Sequence, residues 1–189
     1  LDMVVEELWQ ELKDSEFEPV GFEVNFGSAD GLPPIAIPNS SMHALLRGFI
    51  DRVDAWQSAG SSYYRVVDYK TGGCHLEFKG IESLFVGNKR AVLSNLTQTM
   101  LYSMVLKHNF SRNVVPELYF VRYMQNEDYN PRLIDKAAED REVDYNSYAE
   151  EFEQTINNKL QELFNLNIPF EQCPEEESKE ICAMCDFKT

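Results

Sequence analysis

Two stretches of the sequence decide its fold: GFIDRVD at residues 48–54 and YRVVDYKTG at residues 64–72. Each is a largely apolar segment of the kind that forms a β-strand, but each also carries carboxylates, and the second carries a lysine. An unpaired charge inside a sheet is costly. We therefore expect these charges to hold one another or to hold a metal ion.

The two stretches are expected to form a hairpin. The residues between them, at 58–62, have the composition of a turn, and a connection this short joins antiparallel strands. Side chains alternate between the two faces of a strand. The hairpin can therefore place Asp51 beside Asp68 on one face, with Lys70 two residues further along.

The rest of the chain predicts helices around a small sheet. The predicted elements outside the hairpin are helices at residues 3–12, at 92–107 and after Asp144, a candidate N-cap, and strands at 20–26 and 117–124. The first helix is expected to pack on the core through its apolar stripe. Residues 125–141 are polar and predict a loop. The order of elements predicts an α/β fold in which helices flank a small mixed sheet.

Composition limits the classes of function. A chain of 189 residues with 43% hydrophobic residues predicts one domain, over residues 1–189, with a cysteine-containing tail at 171–189. The net charge of −15 argues against simple non-specific nucleic-acid binding. Residues 47–90 are the least acidic part, with seven basic and five acidic side chains, so an anionic ligand is least disfavoured there.

The location of the protein also follows from composition. No apolar run has the length of a membrane span, and no signal peptide is visible, so we expect a cytoplasmic protein without a membrane partner. The chain begins with Leu1 rather than Met, and we interpret it as a piece of a longer protein.

The chemistry is expected to reside in Asp51, Asp68 and Lys70. Two carboxylates at one point repel each other, and a divalent cation with hard oxygen ligands relieves that repulsion. The lysine can orient a water or stabilise charge on phosphate oxygens. A divalent cation and a lysine at one site can together support phosphodiester hydrolysis. The alternative is an ordinary salt bridge between Asp51 and Lys70. Arg52 and Asp54 fall on the opposite face and predict a structural ion pair.

Three motifs in this order resemble a known family: Gly48-x-x-Asp51-Arg52-x-Asp54, Asp68-Tyr69-Lys70-Thr71-Gly72 and Gln98-x-x-x-Tyr102. They are similar to the RecB-like branch of the PD-(D/E)xK nucleases, which includes the AddB- and RecB-type nuclease domains. The resemblance covers about residues 22–107 and implies a restriction-endonuclease-like core.

The resemblance implies a role for each matching residue. Asp51 matches the first metal-binding acid and Asp68 the second, and the backbone carbonyl of Tyr69 is a further expected ligand. Lys70 matches the catalytic lysine. The implied cofactor is Mg²⁺ or Mn²⁺.

Three other residues have supporting roles by the same resemblance. Gln98 and Tyr102 match a helix motif that supports the active site and the DNA. The alternatives are an outer-face position for Gln98 and a core position for Tyr102. Glu23 lies where relatives carry a glutamate, and its alternative is an ordinary solvent-facing strand residue.

The C-terminal cysteines resemble part of an iron–sulfur motif. Cys182-x-x-Cys185 is similar to the beginning of the tail that holds the cluster in several relatives. A further cysteine is expected beyond Thr189, so we expect a cluster only in the full-length protein. A metal-binding histidine found upstream in relatives has no match in this chain.

The leading hypothesis is a metal-dependent DNA nuclease domain of a helicase–nuclease or a DNA-repair exonuclease. Exonuclease action is favoured over endonuclease action, and the expected partners are DNA and a helicase domain or subunit. A second hypothesis is a non-catalytic nuclease fold kept for DNA binding or subunit contact. A third is a redox-sensitive metal module that uses the terminal cysteines.

Overall fold

The computed structural model describes residues 2–36, 45–58, 60–85 and 90–169. Its elements in chain order are α1 (Asp2–Asp14), β1 (Glu18–Phe26), β2 (Ile35–Ala36), β3 (Leu45–Leu46), β4 (Gly48–Ser58), β5 (Ser61–Lys70), β6 (Glu77–Phe78), a 3₁₀-helix (Ile81–Leu84), α2 (Arg90–Phe110), β7 (Asn113–Phe120), β8 (Ile134–Asp135) and α3 (Tyr145–Leu163). The tail at 171–189, with Cys182 and Cys185, lies outside the described residues.

A four-stranded mixed sheet forms the centre of the fold. Its strand order is β1-β4-β5-β7, in which β1, β4 and β5 are antiparallel and β7 runs parallel to β5. The predicted hairpin is confirmed, because β4 and β5 pair up to a tight turn at Ser58 and Ser61. The small mixed sheet with flanking helices, predicted from the order of elements, is also confirmed.

The helices cover the two faces of the sheet. On one face α2 packs against β5 and β7, and α3 packs against β7. The core on this face includes fully buried side chains from all these elements, among them Val66, Leu96, Leu118 and Phe152. Asp144 caps α3 as predicted, because its side chain accepts a hydrogen bond from the Asn146 amide.

The helix α1 lies on the opposite face, and only part of the apolar stripe that its sequence predicts is covered there. Val5 and Trp9 are 60% and 61% exposed, so that prediction is wrong for these two residues. Leu8 and Leu12 of the stripe are half-buried, and so is Glu11, which forms ion pairs with Arg52 of β4 and Arg65 of β5. Helical spacing identified the helix, but the ion pairs of Glu11 with the sheet could not be read from that spacing.

The strand β7 begins and ends earlier than the sequence predicts, since residues 121–124 form a turn. Pro116 lies inside the strand. The proline is tolerated because the backbone amides on its side of β7 do not bond to β5. The Leu118 amide donates to the carbonyl of Pro131, and the Phe120 amide donates to the hydroxyl of Tyr129. By alternation, the missing N–H of Pro116 would also point away from β5.

Two further expectations need correction. Residues 125–141 are not only a loop, because Ile134–Asp135 pairs with Glu77–Phe78 in a short parallel ladder. In β1 the apolar residues Val20 and Phe22 are 60% and 68% exposed, although their alternation predicted burial. This strand lies at the edge of the sheet, where less of the fold covers it.

Among the described residues, no helix combines the length and the hydropathy of a membrane span.

Candidate active site

The site lies where the central sheet divides into a fork. The backbone pairing of β4 with β5 extends from the turn to Arg52 and Val67. Beyond that point β4 continues alongside β1, and β5 continues alongside β7. Asp51 and Asp68 are the next residues on the two strands. Their positions at the opening therefore depend on side-chain contacts and not on a shared backbone ladder.

The two carboxylates interact at this opening. Asp51 Oδ2 accepts a hydrogen bond of 2.9 Å from the backbone N–H of Tyr69. Asp68 is only 2% exposed. Burial raises the pKa of Asp68 above its usual value; Lys70 opposes this rise and the negative charge of Asp51 adds to it. The hairpin thus brings the two acids together, as the sequence predicted.

Lys70 is the positive partner of the buried acid. Its Nζ lies 2.5 Å from Asp68 Oδ2. This contact lowers the pKa of Asp68 and so opposes the effect of burial. The simple alternative, a salt bridge from Lys70 to Asp51, is not what the structure shows. The ammonium group also donates a hydrogen bond of 2.8 Å to Gln98 Oε1.

The helix α2 completes the constellation. Gln98 Nε2 donates a hydrogen bond of 2.8 Å to the hydroxyl of Tyr102, one turn further along. An outer-face position for Gln98 is therefore wrong, since its amide joins Lys70 to Tyr102. Tyr102 also packs edge-on against Phe26, as its core alternative predicted. Burial raises the pKa of the Tyr102 hydroxyl, and the charge of Asp68 contributes to that rise.

Glu23 is not joined to the other site residues. The register of β1 with β4 places it opposite Asp51, between the pairs Phe22–Arg52 and Val24–Ile50. Its side chain is exposed and makes no hydrogen bond or ion pair with another described residue. Its φ of 48° lies in the left-handed region, which is uncommon for a residue with a side chain. Its role in the site stays a prediction.

The reverse face of the hairpin carries a buried network of charges. We call it the reverse-face network; its members are Glu11, Arg52, Asp54, Arg65 and Glu117. The predicted ion pair between Arg52 and Asp54 is confirmed, with two hydrogen bonds of 2.7 Å. Burial alone lowers the pKa of Arg52, but its bonds to Asp54 raise it above the ordinary value, so the guanidinium stays charged.

Sequence reasoning missed the remaining members of this network. Arg65 donates to Asp54 at 2.6 and 2.8 Å, and Glu117 lies 3.4 Å from Arg65. Burial raises the pKa of Glu117, and Arg65 counters part of that rise. A signal was available, because Arg65 and Glu117 are charges within apolar strands. The distant partner Glu11 could not be paired with them from the sequence.

The donor set suits a hard divalent cation. No group of three or more His, Cys, Asp or Glu side chains assembles within the described parts of the chain. Asp51 and Asp68 provide two carboxylates at the fork, and a cation bound there would share Asp68 Oδ2 with Lys70, whose Nζ lies 2.5 Å away. Mg²⁺ commonly takes one or two carboxylates and keeps several waters, whereas structural zinc takes four protein ligands. Two acids therefore fit Mg²⁺ or Mn²⁺ better than zinc.

Comparisons with known proteins identify the family of the chain. Residues 1–189 match the PD-(D/E)XK nuclease superfamily. The chain is similar to proteins named as the B-type subunits of ATP-dependent helicase/deoxyribonucleases. The relative from Ruminiclostridium cellulolyticum is 36% identical over 95 residues, 50% of this chain and 8% of the relative. The relative from Acetivibrio thermocellus is 46% identical over 65 residues, 34% of this chain and 6% of the relative. The matched stretches are thus a small part of these longer relatives.

Proposed function

Because the chain belongs to the PD-(D/E)XK nuclease superfamily, we propose that it is the metal-dependent deoxyribonuclease domain of a helicase–nuclease. One observation carries the proposal. The fork between β4 and β5 presents two adjacent carboxylates, and a lysine paired with one of them is held by a glutamine from α2. Metal-dependent phosphodiester hydrolysis uses a divalent cation and a nearby positive group, and this arrangement supports a role for both.

Each residue of the site has a separate role in the proposed reaction. Asp51 and Asp68 would hold Mg²⁺ or Mn²⁺, with the backbone carbonyl of Tyr69 as a further ligand. A bound divalent ion supplies polarisation of the phosphate and a more acidic bound water. Lys70 orients the attacking water or stabilises charge on the phosphate oxygens. Gln98 limits the freedom of Lys70 through their 2.8 Å hydrogen bond, which keeps the ammonium group at the site.

The names of the relatives support the remaining parts of the proposal. They are helicase/deoxyribonuclease subunits. We therefore infer a DNA substrate, a helicase domain or subunit as partner, and work in the cytoplasm. We also propose exonuclease rather than endonuclease action. We further propose that Cys182 and Cys185 belong to an iron–sulfur motif.

The test is cleavage of end-labelled single- and double-stranded DNA with Mg²⁺ or Mn²⁺. Replacing Lys70 by Met removes the positive group at the site, and we expect the cleavage rate to fall by a factor on the order of 10² or more. The matched control is Lys79→Met, which changes an exposed lysine outside the site. Equal cleavage by the wild type and Lys70→Met would show that the assignment is wrong.

A non-catalytic nuclease fold is the second candidate, favoured by the net charge of −15 and by the presence of only two acids at the fork among the described residues. Calorimetric titration with Mn²⁺ separates the two candidates. The nuclease proposal expects Mn²⁺ binding by the wild type and by Lys70→Met, and its loss in Asp68→Asn. A wild type that neither binds Mn²⁺ nor cleaves DNA would support the non-catalytic module.

A further inference from the structure

Arg52 joins the two strands of the fork from the reverse face. It follows Asp51 in the sequence and is 1% exposed. Its Nη1 donates a hydrogen bond of 2.9 Å to the hydroxyl of Tyr69, the residue between Asp68 and Lys70. This bond links β4 to β5 at the level where their backbone pairing has ended. It is therefore placed to control the separation of the two strands at the acids.

Tyr69 is held from both faces of the sheet. On the reverse face its hydroxyl bonds to Arg52, and its ring packs edge-on against Tyr119 with centroids 5.8 Å apart. On the site side its backbone N–H donates to Asp51 Oδ2. A shift of the Tyr69 side chain would thus move the peptide that holds the first acid.

The guanidinium of Arg52 is itself fixed. Asp54 accepts two hydrogen bonds from it, and Glu11 accepts a third at 3.0 Å. Asp54 is in turn held by Arg65. Because these groups are buried or half-buried, the Nη1 atom that faces Tyr69 has little freedom to follow a displaced hydroxyl.

We propose that Arg52 and Tyr69 form a positioning pair: their hydrogen bond on the reverse face holds the Tyr69 peptide against Asp51 and so sets the opening of the fork for a divalent cation. The inference rests on the proposed metal-binding role of Asp51 and Asp68. It adds Arg52 to the site and gives the side chain of Tyr69 a role beside that of its backbone carbonyl; neither side chain binds the metal. Groups that orient metal ligands in this way commonly change metal affinity about 10- to 100-fold when they are removed.

The test compares Tyr69→Phe with Tyr119→Phe in the 189-residue chain. Tyr69→Phe removes only the hydroxyl that Arg52 holds and keeps the ring and the backbone N–H. Tyr119→Phe removes a buried hydroxyl from the same face and keeps the bond between Arg52 and Tyr69. Both variants are first compared with the wild type by circular dichroism and thermal unfolding, so that metal binding is measured on folded protein.

Two measurements then follow. Calorimetry with Mn²⁺ alone is expected to show a dissociation constant about tenfold higher for Tyr69→Phe and within about twofold of the wild type for Tyr119→Phe. Amide exchange of residue 69, followed by NMR without metal, is expected to become faster in Tyr69→Phe and to stay unchanged in Tyr119→Phe. This second measurement reports on the Tyr69 peptide directly.

The possible failures are distinguishable. A wild type that binds no Mn²⁺ overturns the proposed metal site and this inference with it. Wild-type binding with an unchanged affinity in Tyr69→Phe overturns the inference alone, whatever the amide exchange shows. An equal loss of affinity in Tyr69→Phe and Tyr119→Phe also overturns it, since the effect would then come from general loosening of the reverse face.

Discussion

At the scale of single residues, the burial of Asp68 lowers the stability of the folded protein at neutral pH. The carboxylate is almost fully buried, and its pKa is raised, first by burial. In the unfolded chain Asp68 loses its proton near pH 3.9. As the pH rises through this value and then through the raised folded pKa, ionisation therefore favours the unfolded state. The ion pair with Lys70 offsets part of this cost but does not reverse it.

Asp68→Asn is accordingly expected to stabilise the metal-free protein while it abolishes cleavage. We expect a gain of about 1 kcal/mol in the free energy of unfolding at neutral pH, the usual size of a stabilising single change. The difference from the wild type should grow as the pH rises from about 4, because only the wild type ionises at this position.

Urea unfolding between about pH 4 and pH 7 measures the difference. The matched control is Asp128→Asn, which changes an exposed carboxylate outside the site and should leave stability nearly unchanged. A variant Asp68→Asn that is less stable than the wild type at neutral pH would contradict the argument.

At the scale of elements, the hairpin of β4 and β5 has two different faces. One face carries the acids and Lys70, and the other carries the reverse-face network. Arg65 lies at the centre of that network, within 2.7 Å of Glu11, 2.6 Å of Asp54 and 3.4 Å of Glu117. The guanidinium carbon of Arg65 also lies 4.7 Å from the centre of the Phe17 ring, and this contact fixes the connection from α1 to β1.

Arg65→Met should therefore destabilise the domain strongly. Removing one partner of a buried ion pair leaves the other charges uncompensated, and we expect a loss of about 3–5 kcal/mol in the free energy of unfolding. Lys159→Met is the control, because it breaks an exposed pair with Glu162 on α3 and should cost less than about 0.5 kcal/mol. Chemical denaturation measures both. Similar losses in the two variants would contradict a structural role for the network.

At the scale of the whole molecule, most of the net negative charge lies outside the segment that contains the candidate site. The chain has a net charge of −15, yet the segment that contains the fork is its least acidic part. An acidic surface repels the phosphate backbone, so the domain by itself has few cations with which to track DNA. Under the proposed function, most of the DNA contact would then come from other parts of a helicase–nuclease.

This predicts weak DNA binding with a shallow salt dependence. Each phosphate contact contributes about −0.9 to the slope of log K against log salt, and two or fewer contacts give a slope no steeper than about −2. Fluorescence anisotropy with the Asp68→Asn variant, over about 50 to 200 mM salt, measures this slope without cleavage. A slope steeper than about −5 would reveal a basic surface that the overall charge does not suggest.

The sequence by itself determined the hairpin, the two acids with the lysine, and the helix with Gln98 and Tyr102 four residues apart. These follow from local rules, because strand alternation and helical spacing fix which side chains share a face. The same rules failed where burial depends on distant partners. They predicted burial for Trp9 and Phe22, which are exposed; Phe22 belongs to β1, at the edge of the sheet.

Only the tertiary structure decided the fork, the bond from Lys70 to Gln98, and the bonds of Arg52 to Tyr69 and Glu11. Glu11 lies 41 residues from Arg52 and Gln98 lies 28 residues from Lys70. Contacts at such separations depend on how helices pack on the sheet, and no local periodicity records that. The opening of the fork has the same origin: β4 follows β1 and β5 follows β7, and the two acids lie where these pairings part.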